Sequence, residues 1–203
     1  MKSLNNWLLV LSVLSCFGCS SPVHEDDRGC AFVSDSIQYR VEFMSAGCVR
    51  ILSFPEGDTL VTKRLVVDSE KPAFKDYKWE DTGQKLLFRT RELSVVFDKA
   101  DAAFIFQETS TGKLLLKEKG DRKARNFKRS VAGGEQCLEV TQCFVPTEDE
   151  AIYGLGQYQN GIMNYRGKSV LLLQANMDIV NPFLISTLSL IHISEPTRLG
   201  MIS

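Results

Sequence analysis

The sequence predicts an all-β fold of short antiparallel strands arranged as a sandwich or barrel. Three observations carry this. Beyond the N-terminal segment, no long window sustains a 3.6-residue apolar period. Short runs with period-2 alternation recur between Gly, Pro, Asn and Asp punctuation. The aromatic supply leans on phenylalanine, with 12 residues, which suits a sandwich or barrel core. A chain of 203 residues is long enough for one domain with a real core and short for two. With 44% hydrophobic and 24% charged residues the composition is globular. A net charge of −1 offers no broad basic field for nucleic acid.

The N-terminus reads as a targeting segment. Lys2 gives a positive n-region, and Trp7 to Leu14 (WLLVLSVL) is an apolar h-region too short for a bilayer span, which needs about 20 residues. Small residues around Cys16 and Cys19 resemble a bacterial lipobox, in which the cysteine is lipidated and becomes the mature N-terminus. Cys19 is favoured, because Gly18 precedes it and the polar Ser20-Ser21 follows. Cys16 stands where a Leu is usual, so it remains an alternative, as does a cleaved secretory signal. Residues 1–19 are thus expected to be a lipoprotein-type signal peptide of an exported bacterial protein, periplasmic or on the outer membrane. Ser20 to Gly29 (SSPVHEDDRG) is expected to be a solvated polar tether, and residues 30–187 the domain.

Ser36 to Phe43 alternates, with Ile37, Tyr39, Val41 and Phe43 on one face and Gln38, Arg40 and Glu42 on the other. Cys48 to Phe54 is the next expected strand, stopped by Pro55-Glu56-Gly57-Asp58, and Leu60 to Val67 another. Ser69 to Tyr77 reads as loop. Strands follow at Lys85 to Thr90, Glu92 to Phe97, Ala102 to Gln107 and Lys113 to Lys117, the last two forming a hairpin around Ser110-Thr111-Gly112. Lys117 to Arg129 is a basic cluster with Phe127 as its lone aromatic, so it reads as a solvated loop and not as a nucleic-acid site. Gln136 to Val145 returns to strand, with Leu138, Val140 and Phe144 opposite Cys137, Glu139, Thr141 and Cys143. On an extended run Cys137 and Cys143 lie about 20 Å apart and cannot bridge each other. With two histidines, His24 and His192, and no further Cys-x-x-Cys pair, neither a metal site nor a cofactor is expected.

The densest turn chemistry lies in Asp149 to Ser186. Gly154-Leu155-Gly156 invites a dinucleotide-binding reading, but the third glycine of that fingerprint falls on Gln159 and no helix pattern follows. The glycines are read as tight backbone turns, joined by the turn pairs Asn160-Gly161 and Arg166-Gly167. Val170 to Leu173 is apolar on both faces and reads as a central or covered strand. Tyr153, Gln157, Tyr158, Gln159, Asn160, Asn164, Tyr165, Gln174, Asn176 and Asp178 read as exposed. Aromatic faces beside amides and carboxylates are what sugar recognition needs, although the same residues decorate ordinary loops.

This stretch resembles the N-terminal β-sandwich of family-31 glycoside hydrolases, the family of α-glucosidases and α-xylosidases. The matching residues are Glu150-Ala151-Ile152-Tyr153-Gly154-Leu155-Gly156-Gln157 and Pro182-Phe183-Leu184-Ile185-Ser186. Asn160-Gly161, Asn164-Tyr165-Arg166-Gly167-Lys168 and Gln174-Ala175-Asn176 look closest to bacterial α-xylosidase-like members. Weaker matches upstream, at Gly47 to Ile51, Leu93 to Asp98 and Phe104 to Leu115, extend the resemblance over about Phe32 to Thr187. It implies a galactose-mutarotase-like antiparallel sandwich and, in the whole enzyme, retaining hydrolysis by two carboxylates about 5–5.5 Å apart. In the family both are aspartates of a barrel that follows the sandwich. No catalytic residue is therefore expected in this chain, and Glu148-Asp149-Glu150 reads as strand-entry charge. In the family the sandwich also lends a loop to the mouth of the barrel, and the resemblance makes Gln174, Asn176 and Asp178 the expected oligosaccharide contacts.

After Ser186 the resemblance stops. Residues 188–203, LSLIHISEPTRLGMIS, look like translated adapter read-through at the end of an assembled fragment, so His192 and Arg198 are given no role. The leading expectation is a truncated N-terminal part of an exported α-glycosidase, inactive alone and with its sandwich incomplete at the C-terminal end. Its expected partners are an oligosaccharide, through the missing barrel, and a membrane, through the lipid anchor. A non-catalytic glycan-binding lipoprotein and a structural surface domain are the competing readings.

Overall fold

The computed structural model describes residues 22–58, 73–120, 125–188 and 190–193. Among the described residues there are strands and no helix. A first sheet takes β1 (His24–Glu25), β2 (Cys30–Ser34), β3 (Ile37–Ser45) and β4 (Cys48–Pro55) in chain order. A second takes β5 (Lys78–Asp81), β6 (Lys85–Arg89), β7 (Leu93–Asp98), β8 (Ala103–Glu108) and β9 (Leu114–Lys117), also in chain order. Every pair in both is antiparallel, so each sheet is a meander closed by tight turns.

The core lies between these two sheets, as period-2 patterning requires. Tyr39, Val41 and Phe43 of β3 point inward and are buried, against Leu86 and Phe88 of β6, Val95 and Phe97 of β7 and Phe104 of β8. Phe32 lies 4.8 Å from Phe97 between ring centroids, Tyr39 lies 5.0 Å from Phe97, and both pairs are tilted. Such pairs contribute about 0.5–1.5 kcal/mol each beyond their buried area. Phenylalanine is the material of this core.

Two smaller sheets follow. β10 (Arg125–Ala132) and β11 (Glu135–Gln142) form a two-stranded hairpin, and β12 (Ile152–Gln157), β13 (Ile179–Ser186) and β14 (Leu190–Ile193) form a three-stranded antiparallel sheet. Glu118 fixes the hairpin to the sandwich. Its buried carboxylate accepts from Phe104 N at 2.9 Å and from Gln142 Nε2 at 2.5 Å, while its backbone bridges Phe144.

Several expectations are corrected. Ser20 to Gly29 is not a spacer throughout. Val23 packs on the core and β1 pairs with β2, because Glu25 finds donors in Tyr77 and Trp79. Glu42, expected on the wet face, is buried beside Arg40 at 2.8 Å and Arg50 at 3.7 Å. The Lys117–Arg129 loop is strand from Arg125 onward, because its polar groups pair with β11. β5 occupies a stretch in which no strand was expected. Val170–Leu173 is neither strand nor covered: Leu171 is 78% exposed and Leu173 52%. Leu138 and Val140 are exposed as well. The strand expected at Leu60–Val67 lies outside the described residues.

Candidate functional site

The Asp149–Ser186 stretch is built around a bulged strand. β12 pairs with β13 from Ile152↔Ser186 to Gly154↔Leu184 and resumes at Gly156↔Val180, with an irregularity between the two glycines. Gly154, Leu155 and Gly156 all have positive φ, at 100°, 66° and 118°. A Cβ on Gly154 would lie 2.5 Å from Phe183 O, and one on Gly156 would lie 1.9 Å from Ile179 O. The Gly-x-Gly pattern therefore serves a bulge with close backbone approach, and not the tight turns expected from the sequence.

The ends of the stretch are tied together. Glu150, expected as strand-entry charge, is buried, and its carboxylate accepts from Ser186 Oγ at 2.5 Å and from Thr147 N at 2.9 Å. The Arg166 guanidinium donates to the carbonyls of Thr147 and Glu150, the latter at 2.7 Å. Asn164 Oδ1 accepts from Ile152 N and Arg166 N, and Asn160 Oδ1 accepts from Ile162 N. Tyr165, expected to be exposed, is buried, and its N–H donates to Ile152 O at 2.8 Å. These amides and this ring hold an irregular backbone whose polar groups have no ladder partner. Arg166 was missed as a clamp. Its signal was indirect: a Pro- and Gly-broken segment leaves carbonyls that need a donor.

Gln174, Asn176 and Asp178 are brought together on one turn. Ala175 and Asp178 form an antiparallel bridge, with Asn176 and Met177 at its tip and Met177 at φ 74°. Gln174 Oε1 accepts from Val180 N at 3.1 Å, so this side chain holds the turn against the start of β13. Asn176 is exposed and Asp178 half-buried. Tyr158 donates to Leu155 O at 2.9 Å and meets Tyr165 edge to face at 6.4 Å. Burial pushes the Tyr158 phenol above its ordinary pKa, and the charges of Tyr165 and Asp178 add to that. Tyr158 and Asp178 are thus close enough for the carboxylate to act on the phenol, and Asn176 stands exposed at the tip of the turn that carries Asp178.

Among the described residues, no group of three or more His, Cys, Asp or Glu could hold a metal ion. A cleft of about 330 Å³ opens elsewhere, between the Asp26–Gly29 turn and Phe74–Lys75. None of residues 149–186 lines it.

The chain matches the model of the glycosyl hydrolase 31 N-terminal galactose mutarotase-like domain over residues 38–183. It is 30% identical over 183 residues to an α-xylosidase of Saccharolobus solfataricus, covering 83% of this chain and 23% of that protein. Among solved structures it is similar to the α-xylosidase of Xanthomonas citri, with TM-score 0.68 and 27% identity, over 82% of this chain and 18% of that one. A dextranase of Flavobacterium johnsoniae shares the fold, with TM-score 0.62 and 16% identity, over 83% of this chain and 21% of that one. The chain thus spans about a quarter or less of the length of these relatives. Matched over most of its length, the chain belongs to glycosyl hydrolase family 31, as the family's N-terminal galactose mutarotase-like domain.

Proposed function

We propose that this domain is the N-terminal part of a longer, exported α-glycosidase, α-xylosidase-like in substrate, that cleaves oligosaccharides by a retaining two-carboxylate mechanism. The observation that carries the reading is the unequal coverage. At 30% identity the chain matches an α-xylosidase over 83% of itself and 23% of that protein. The two reacting carboxylates belong to the remainder of such an enzyme, and the 203-residue chain alone is inactive. Within it, Asn176 and Asp178 touch the sugar, and Gln174 holds their turn. Cys19 carries the lipid, and residues 188–203 are foreign to the parent protein.

The test begins with resequencing the locus past codon 187. A reading frame continuing into a barrel with two catalytic aspartates supports the enzyme. The recovered protein should then hydrolyse an aryl α-xyloside faster than the α-glucoside, while the present chain hydrolyses neither. A stop after codon 203, together with oligosaccharide binding by the present chain, would replace this reading with a non-catalytic glycan-binding lipoprotein.

A further inference from the structure

We infer that Asn160 is a site of spontaneous modification: the folded chain converts it, through a cyclic succinimide, into isoaspartate and aspartate. The residue that follows an asparagine sets this chemistry. Its backbone N–H must lose a proton and its nitrogen must reach the asparagine Cγ, and a side chain on it hinders that approach. Beyond the N-terminal segment, the residues that follow asparagines are Phe127, Gly161, Tyr165, Met177 and Pro182. Asn160 alone precedes a glycine. Pro182 has no N–H to give up.

The same loop holds a second turn of the same kind. Asn160 Oδ1 accepts from Ile162 N at 3.0 Å, and Asn164 Oδ1 accepts from Arg166 N at 3.0 Å. Each bond folds the carboxamide forward over the peptide that follows it. There the likeness ends. Tyr165 is buried and its N–H donates to Ile152 O at 2.8 Å, while Asn164 Oδ1 takes a second donor in Ile152 N. The nitrogen that would attack Asn164 is occupied, and the carboxamide it would attack is held from two sides. Asn160 and Gly161 are both exposed. Among the described residues Gly161 N has no acceptor, and nothing lies within 4 Å of a Cβ built on Gly161. That nitrogen is open to base and its path is clear.

The reaction balances with water and base alone. Hydroxide takes the Gly161 N–H proton, and the nitrogen bonds to Asn160 Cγ while Ile162 N–H supports the charge growing on Oδ1. The Cγ–Nδ2 bond then breaks, and ammonia leaves with a proton from water, which restores hydroxide. Water opens the ring at either carbonyl. Opening at the main-chain carbonyl gives isoaspartate, with an extra methylene in the backbone, and opening at Cγ gives aspartate. Either product puts a new negative charge on the loop that carries Tyr158 and Asp178, and isoaspartate also lengthens the turn.

The 203-residue chain is held at mildly alkaline pH for several weeks, folded and in urea. Samples are digested with pepsin in acid and fragmented by electron transfer, which separates isoaspartate from aspartate. Folded Asn160 should convert within several-fold of its rate in urea, with isoaspartate the larger product. Folded Asn164 should convert many-fold more slowly than it does in urea. Gly161→Ala, at a position with room for the methyl, should slow Asn160 several-fold or more. Protection of folded Asn160 to the same degree as Asn164, or an unchanged rate in Gly161→Ala, overturns the assignment. Conversion of folded Asn164 at its urea rate overturns it too, because the contacts of Tyr165 and Ile152 would then not separate the two turns.

Discussion

Glu150 and Ser186 stand 36 residues apart and share one buried hydrogen bond, which closes the stretch that carries the family's motif. Ser186→Ala would leave the buried carboxylate with Thr147 N and without its hydroxyl donor. We expect a loss of about 1–3 kcal/mol in urea unfolding. The glycines give a sharper contrast. Gly161 has φ 67° with nothing within 4 Å of a built Cβ, so Gly161→Ala should cost about 1–2 kcal/mol, the left-handed penalty alone. Gly156→Ala drives a Cβ into Ile179 O, and should exceed about 4 kcal/mol or prevent folding. Similar losses at the two positions would show that the bulge can relax. The sequence identified both glycines but not their difference, because the demand at Gly156 is made by the backbone of β13, across the ladder and more than 20 residues away. The candidate sugar contacts were legible only as a residue set. Which amide is occupied, as Gln174 is by Val180 N, depends on the turn it sits in.

At the scale of elements, legibility followed local pattern. β3, β7 and β8 alternate or are apolar throughout, and their expected and observed spans differ by a residue or two. β5 reads Lys-Trp-Glu-Asp and shows no pattern of its own; the ladder of β6 recruits it. β10 is rich in Arg and Lys and pairs over eight residues with β11, a choice made by its partner. Val170–Leu173 failed the other way, since an apolar run becomes a covered strand only where a surface covers it. β1 was hidden for a different reason: it spans two residues, and the donors that hold its Glu25 come from Tyr77 and Trp79, 52 and 54 residues away. The Trp79 indole and then the Tyr77 hydroxyl hold the Glu25 carboxyl below its usual range. A depressed carboxyl contributes fully above its unfolded value of about 4.3, and the contribution is lost as pH falls through the lower folded value. In a chain starting at Ser20, Trp79 is the only indole. Its emission should therefore shift as the medium is acidified below about pH 4, before the core melts. Glu25→Gln should remove that early step, and its persistence would assign the step to another carboxylate.

For the whole molecule, the question is what an all-β domain does with apolar surface that its own sheets do not bury. Its two meanders close on an aromatic core, but Met163, Leu171, Leu172, Leu173, Met177 and Ile179 all remain exposed. All six fall within the stretch that carries the motif, and Leu171 and Met163 are each 78% exposed. Contiguous exposed apolar surface marks a face meant to be covered, and Leu171, Leu172 and Leu173 put three such side chains in a row. The relatives are several times longer than this chain, so the bulk of such an enzyme is available to cover it. The present chain should accordingly bind the dye ANS while folded and self-associate as its concentration rises. Replacing Leu171, Leu172 and Leu173 together by Gln should lower both, with unfolding of the domain changed by about 1–2 kcal/mol in all, because Leu171 is 78% exposed while Leu172 and Leu173, at 41% and 52%, are partly buried. In the recovered full-length protein the same triple change should act oppositely: each leucine then buried contributes about 1.5–3 kcal/mol, and its loss should uncouple the domain's melting from the rest. If the triple variant instead unfolds the isolated domain and leaves the long protein unaffected, these leucines belong to the sandwich itself and the covered face lies elsewhere.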